Sequence, residues 1–170
     1  MKKLKSVIDF LDSTILFIGK FFSFLIYVVM AIIVYELVSR WLFNSPTEWV
    51  HEASTMLYGI FFILGGGYAL IKKEHVRMDI FYTQLTLRGK AIADIATFFL
   101  FVIYIAIIIW YGGKTAWHSL MINEHTQTVW GPPVYPSKII LVIGAILILI
   151  AGCTKFIRDF LIVATGKDEI

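Results

Sequence analysis

Ionisable side chains set among apolar residues are the first place to look for chemistry, because a charge in hydrocarbon is costly unless it is paired or used. Glu36 is followed four residues later by Arg40. That spacing puts both on one helical face as an ion pair, which reads as a structural pair rather than a transport site. Lys20 is the only formal charge well inside an apolar run, and its long stem lets the ammonium snorkel to an interface. No Asp, Glu, His or Arg falls between Ala53 and Leu70, between Ile95 and Tyr111, or between Ile139 and Thr154. This argues against an autonomous proton- or sodium-coupled carrier and against a proton pump.

The four histidines raise haem or metal ligation. Two-histidine haem binding needs imidazoles facing inward from within helices. His51 instead falls at a helix start, His75 in one connection, and His118 and His125 in another. Clustered Cys/His ligands of the zinc type are absent, and Cys153 is a lone cysteine inside an apolar run, expected to act as a small core residue. There is no glycine-rich phosphate loop, nucleophile motif or paired-carboxylate site. The expectation is a protein that is not an enzyme and holds no cofactor or metal.

The elements that carry these residues are set by composition. Of 170 residues, 59% are hydrophobic and 16% charged, and the mean hydropathy is +0.81, far from a soluble profile. Apolar runs at about Ile15–Tyr35, Trp49–Ile71, Ala91–Gly113 and Ile139–Ile157 are each long enough to cross a bilayer. Four segments cannot close a barrel, so each must satisfy its backbone as a helix. The fold class is an all-α integral membrane protein of four transmembrane helices in a single membrane domain, 1–170.

Before the first run, Leu4, Val7, Ile8, Leu11 and Ile15 share a helical face opposite Lys3, Lys5, Asp9 and Ser13. This predicts an amphipathic N-terminal segment lying at the interface. It is either continuous with the first span or bent near Gly19. A cleaved leader is not expected, since the apolar stretch is long, Asp9 and Asp12 interrupt its approach, and no small-residue cleavage site follows.

The cations are distributed unevenly. With Lys20 set aside, eleven of the 15 lie at the N-terminus, in the Lys72–Lys90 connection or at the C-terminal end, against three (Arg40, Lys114, Lys138) on the other side. Lysine and arginine are retained on the cytoplasmic side, so both termini are expected there. The basic clusters flank membrane segments without aromatic interleaving, so nucleic-acid binding is discarded.

Between the first two spans, Asn44-Ser45-Pro46-Thr47-Glu48 reads as a capping box, with Ser45 as N-cap, Pro46 at N1 and Glu48 at N3. Glu48 and Glu52 complement the positive end of the helix dipole, and Trp41 and Trp49 serve as interfacial anchors. In the second span, Thr55, Gly59, Ile63 and Gly66 share a face, while Gly65 and Ala69 have small-xxx-small spacing, predicting close packing on a neighbouring helix. The stretch Lys114–Lys138 holds Trp117, His118, His125, Trp130, Gly131, Pro132, Pro133, Tyr135 and Pro136, a mixture that resists a continuous helix and suits the outer interface, with Ser137 capping the last helix. An apolar stretch, Met78–Phe81, suggests that the Lys72–Lys90 connection lies along the inner surface.

The run Arg40-Trp-Leu-Phe-Asn44-Ser-Pro46-Thr-Glu48-Trp49-Val-His51-Glu52, the glycines Gly65–Gly67 and the element His75-Val76-Arg77-Met78-Asp79 together resemble the small membrane subunit (DctQ type) of tripartite ATP-independent periplasmic (TRAP) transporters. His51 departs from the pattern, which often has the first of two adjacent acids there. The resemblance implies a bacterial inner-membrane, multi-pass subunit of a sodium-driven transporter for organic acids. Its partners would be a large multi-spanning membrane subunit, for which it is a scaffold, and a periplasmic substrate-binding protein. It further implies structural roles for Arg40, Asn44, Ser45, Pro46, Glu48 and Glu52 in the outer turn and for His75, Arg77 and Asp79 in the inner one, with no substrate-contacting residue. Trp130, Pro132, Pro133 and Tyr135 are candidates for docking the binding protein. Two other classes compete: a haem or quinone anchor subunit of a redox enzyme, which the histidine placement disfavours, and a small dimeric drug exporter, which calls for a central acid that is missing.

Overall fold

The computed structural model describes residues 2–72 and 86–165, and among these residues the regular structure is helical. The helices are α1 (Lys2–Ser23), α2 (Leu25–Leu42), α3 (Val50–Ile71), α4 (Leu87–Met121) and α5 (Tyr135–Thr165). Four stretches are long and apolar enough to cross a membrane: 5–42, comprising most of α1 and all of α2, then Val50–Ile71, Ile92–Met121 and Tyr135–Ala164.

α1 and α2 are nearly one helix. The interruption is at Phe24, where Phe24 N–H donates to the Phe21 carbonyl at 3.3 Å and Tyr27 N–H to the Phe24 carbonyl at 3.1 Å, replacing four-residue bonds by tighter three-residue ones. Of the two alternatives, continuous or bent near Gly19, the helix runs through Gly19 and its bonding is broken only at Phe24. Gly19 is needed for packing instead. A Cβ there would sit 2.5 Å from Tyr68 Cβ, so the missing side chain is what lets α1 cross the end of α3.

Closest approaches give the topology. Gly144 of α5 meets Ile63 and Gly66 of α3 meets Ile148, so α3 and α5 run in the same direction. Gly112 faces Leu141 and Val142, Gly152 faces Phe101, and Phe98 stacks on Phe156 at 4.2 Å, so α4 runs antiparallel to α5. α5 is thus the central helix, flanked by α3, α4 and the N-terminal half of α1. Its small residues make this possible: Ala145 and Ala151 are buried, and Gly144 and Gly152 have neighbours where a Cβ would stand.

The glycine face read from the sequence of α3 is only partly used. Gly66 and Gly67 pack against Ile148 and Ile15, whereas Gly59 and Gly65 have open space around them. Large apolar side chains point outward instead, among them Tyr27, Met30 and Leu37 on α2 and Phe99, Leu100, Ile103 and Trp110 on α4. Lipid tails are as apolar as these side chains, so a membrane bundle gains little by hiding them and packs its small residues inside.

α4 continues through Met121, so Lys114, Trp117 and His118 are helical rather than part of an irregular connection. With 35 residues it is about 52 Å long, well beyond the roughly 30 Å hydrocarbon core. Its ends must therefore tilt or project into polar surroundings. α5 begins at Tyr135, which places Ser137 inside the first turn and not at the cap. Pro136 is tolerated there because no intrahelical partner exists for its missing N–H.

Candidate functional site

Polar side chains gather at the two ends of the bundle. At one end lie the loops 43–49 and 122–134; at the other, α1 closes over α5.

At the loop end, Asn44 adopts a left-handed conformation (φ 49°), which turns the chain back as α2 finishes. Ser45 N–H then donates to the Ser39 carbonyl at 3.1 Å and Ser39 Oγ to the Ser45 carbonyl at 2.6 Å. The Glu36 carboxylate receives Arg40 Nη2 at 2.6 Å and Nε at 3.1 Å, as the four-residue spacing predicts. Its second oxygen accepts the Thr47 N–H at 3.1 Å and the Thr47 hydroxyl. Glu36 therefore ties the loop to α2.

This arrangement replaces the expected capping box. α3 starts at Val50, Trp49 stands at its N-cap with no side-chain bond, and Ser45 and Thr47 are both engaged by α2. The physical reason is competition from α2: the Ser39 carbonyl takes the Ser45 N–H that the box would have used, and the Glu36 carboxylate takes both Thr47 donors. Glu48 is exposed, and Pro46 lies in the irregular loop. Glu36→Gln is expected to loosen 43–49 while leaving the helices formed, read as faster hydrogen exchange confined to that loop.

The second loop is a short hairpin-like turn. Thr126 N–H donates to the Pro132 carbonyl at 3.0 Å and Val134 N–H to the Glu124 carbonyl at 2.9 Å, with an isolated bridge between His125 and Pro133. Gly131 (φ 60°) reverses the chain, and its carbonyl accepts from His125 Nδ1 at 2.6 Å. Two contacts hold this loop to its neighbours: Thr126 Oγ1 donates to Glu52 in the first turn of α3 at 3.2 Å, and Trp130 packs on Trp49 of the first loop at 6.3 Å between ring centroids. Trp49 in turn packs on Tyr35. Of the residues foreseen for docking, Trp130 is exposed, Pro133 and Tyr135 are half-buried and Pro132 is buried.

Glu124 and Lys138 close this loop onto α5 at 2.5 Å. The Lys138 hydrogen bond holds the Glu124 carboxyl below its ordinary value of 4.5, with the Lys138 and His118 charges adding and desolvation opposing. A depressed carboxyl contributes stability that is present above its unfolded value and lost as pH falls through its folded value. The Glu124–Lys138 tie is thus expected to hold at neutral pH and to be lost only in acid below 4.5, loosening the loop there. Hydrogen exchange at 122–134 across a pH series checks this, and Lys138→Met should remove the transition.

The other end holds a double clamp that the sequence pattern does not reveal. On α5, Thr154 and Arg158 face α1, while Lys155 is drawn to α4. Asp12 receives Arg158 Nη2 at 2.6 Å and Thr154 Oγ1 at 2.9 Å, and Asp9 lies 3.8 Å from Arg158. Lys155 Nζ binds Asp94 at 2.6 Å and Asp159 at 3.3 Å. Along the sequence, Asp9 and Asp12 only argue against a leader, and Lys155 and Arg158 only indicate topology. The signal that could have found the clamp is opposite charge at the ends of three different apolar runs.

His51 and His118 are exposed on their helices. Among the described residues no group of three or more His, Cys, Asp or Glu is placed to hold a metal ion. Cys153, expected in the core, is instead exposed on α5. His75, Arg77 and Asp79, with Met78–Phe81, lie outside the described residues.

The family model for the DctQ component of tripartite ATP-independent periplasmic transporters matches residues 29–161. The chain belongs to this family. The matched segment runs from within α2 almost to the end of α5 and so includes both loops and the α5 side of the clamp. α1, with Asp12, lies outside it. No curated protein matches the chain. DctQ membership makes this chain the small membrane component of a tripartite transporter, and it lends no support to the redox-anchor reading.

Proposed function

We propose that this DctQ-family chain is the scaffold that holds a large multi-spanning transport subunit in the bacterial inner membrane. The transporter is sodium-driven and carries an organic acid delivered by a periplasmic binding protein. Both termini are cytoplasmic, following the lysine and arginine distribution, so the loop end faces the periplasm. The chain is one membrane domain, and substrate and ions bind to the large partner.

The observation that supports this reading best is the contrast between the spans and the loop end. The helix middles carry no acid, histidine or arginine that could couple an ion. The two loops, by contrast, form a joined surface with Trp130 and Val129 exposed on it. Arg40, Asn44, Ser45, Pro46, Glu48 and Glu52 shape that surface, and Trp130, Pro133 and Tyr135 supply its contact groups, with Pro132 behind them. His75, Arg77 and Asp79 are assigned to the inner turn.

Affinity purification from native membranes in mild detergent tests the scaffold. One large multi-spanning protein in near-equal amount supports it, whereas flavin or iron–sulfur subunits would overturn it. For docking, Trp130→Ala combined with Glu48→Lys is expected to weaken binding-protein affinity and uptake while leaving the membrane complex assembled. Unchanged affinity and uptake would sink the docking surface.

A further inference from the structure

We infer that α1 is an anchor for anionic phospholipid: Phe10, Phe17 and Phe21, with Phe24 at the break that follows, face the acyl region of the adjoining leaflet while Lys5 and Lys20 reach the lipid phosphates.

The case starts from helical geometry. Positions 10, 17, 21 and 24 fall within a stripe about 60° wide at 3.6 residues per turn. The four phenylalanines are 71%, 72%, 63% and 61% exposed. The opposite face of α1 is the docked one. There Ile8, Asp12 and Ile15 are buried and Gly19 abuts Tyr68. The sequence pattern alone points to Leu4, Val7, Ile8, Leu11 and Ile15 as the interfacial face. Packing claims Ile8 and Ile15 for the bundle, and the phenylalanines remain outside together with Val7.

The second observation is the sorting of charge. The two acids of α1 are both turned to Arg158, at 2.6 Å from Asp12 and 3.8 Å from Asp9. Lys5 and Lys20 are exposed; Lys20 borders the phenylalanine stripe about 80° around the helix from Phe10, and Lys5 stands further round on the same side at about 140°, with Asp9 between them at about 100°. An aromatic stripe bordered by the Lys20 ammonium, with Lys5 further round and both acids within reach of Arg158, matches an anionic lipid surface. A partner's apolar helix laid on the same face would cover the phenylalanines and leave the ammoniums without counter-charges. α1 also precedes the residues matched by the family, so this role is separate from the loop-end surface and does not rest on the transported substrate.

Two measurements on the full chain, purified from native membranes with the membrane partner it retains and placed in lipid nanodiscs, test the inference. A spin label at Phe17→Cys, in a Cys153→Ala background, is expected to be accessible to oxygen and shielded from a water-soluble nickel chelate. A label shielded from both would show that protein covers the face, and a label open to the chelate would show that water does; either overturns the proposal. Native mass spectrometry of the same particles should show phosphatidylglycerol enriched over phosphatidylcholine. The surface variant Lys5→Gln/Lys20→Gln is expected to reduce that enrichment by about five-fold per lysine at low ionic strength. Equal retention of the two lipids, or no change in the variant, would overturn it.

Discussion

Arg158→Gln is expected to destabilise the bundle by about 3 kcal/mol, the lower part of the range for stripping one partner from a buried ion pair. The cost arises at Asp12, whose side chain is only 8% exposed and which would keep a single donor, the Thr154 hydroxyl at 2.9 Å. Because Arg158 is itself 30% exposed, water softens the loss, which is why the upper part of the range is not expected. Asp12→Asn combined with Arg158→Gln should recover much of the stability, since the uncompensated charge is then gone. Detergent-unfolding free energies for the two single variants and the double variant close the cycle. Additive losses would show that Asp12 and Arg158 act independently.

Gly19→Ala is expected to cost about 1–3 kcal/mol by overpacking. The nearest atom to the new methyl would be Tyr68 Cβ at 2.5 Å, and a Cβ cannot swing aside as the end of a long side chain can. The backbones of α1 and α3 must therefore part, disturbing Ile15 against Gly67 one turn away. Gly65→Ala is the matched control, for its Cβ would meet nothing within 4 Å. It is expected to be neutral or to stabilise α3 by up to about 1 kcal/mol, the usual helix preference for alanine over glycine. Thermal unfolding of the two variants side by side distinguishes a contact effect from a general intolerance of the bundle to lost glycine.

Glu36 and Arg40 are legible in the sequence because an i, i+4 pair depends only on helical periodicity, and their bond forms as the spacing implies. Ser45 misleads because capping is judged within one segment. The Ser45 N–H is instead taken up by the Ser39 carbonyl and the Thr47 donors by Glu36, all from the preceding helix. The extent of α4 is underestimated for a similar reason, since Trp117 and His118 look like loop residues until the helix is seen to project past the hydrocarbon.

Segment character is a local property: the length of an apolar run, the placement of lysine and arginine and the turn at Asn44-Ser45-Pro46 are all written in consecutive residues. Sequence by itself therefore determined four membrane-crossing helices and the resemblance to the DctQ component, which the match over residues 29–161 bears out. Which faces touch is not local. Asp12 and Arg158 are 146 residues apart, Asp94 and Lys155 61 apart, and Gly19 works only because α1 crosses Tyr68. Only the tertiary structure decided those pairs, because in a membrane the hydrophobic pattern does not separate inward from outward faces, and close approach of small residues and pairing of the few charges must do so instead.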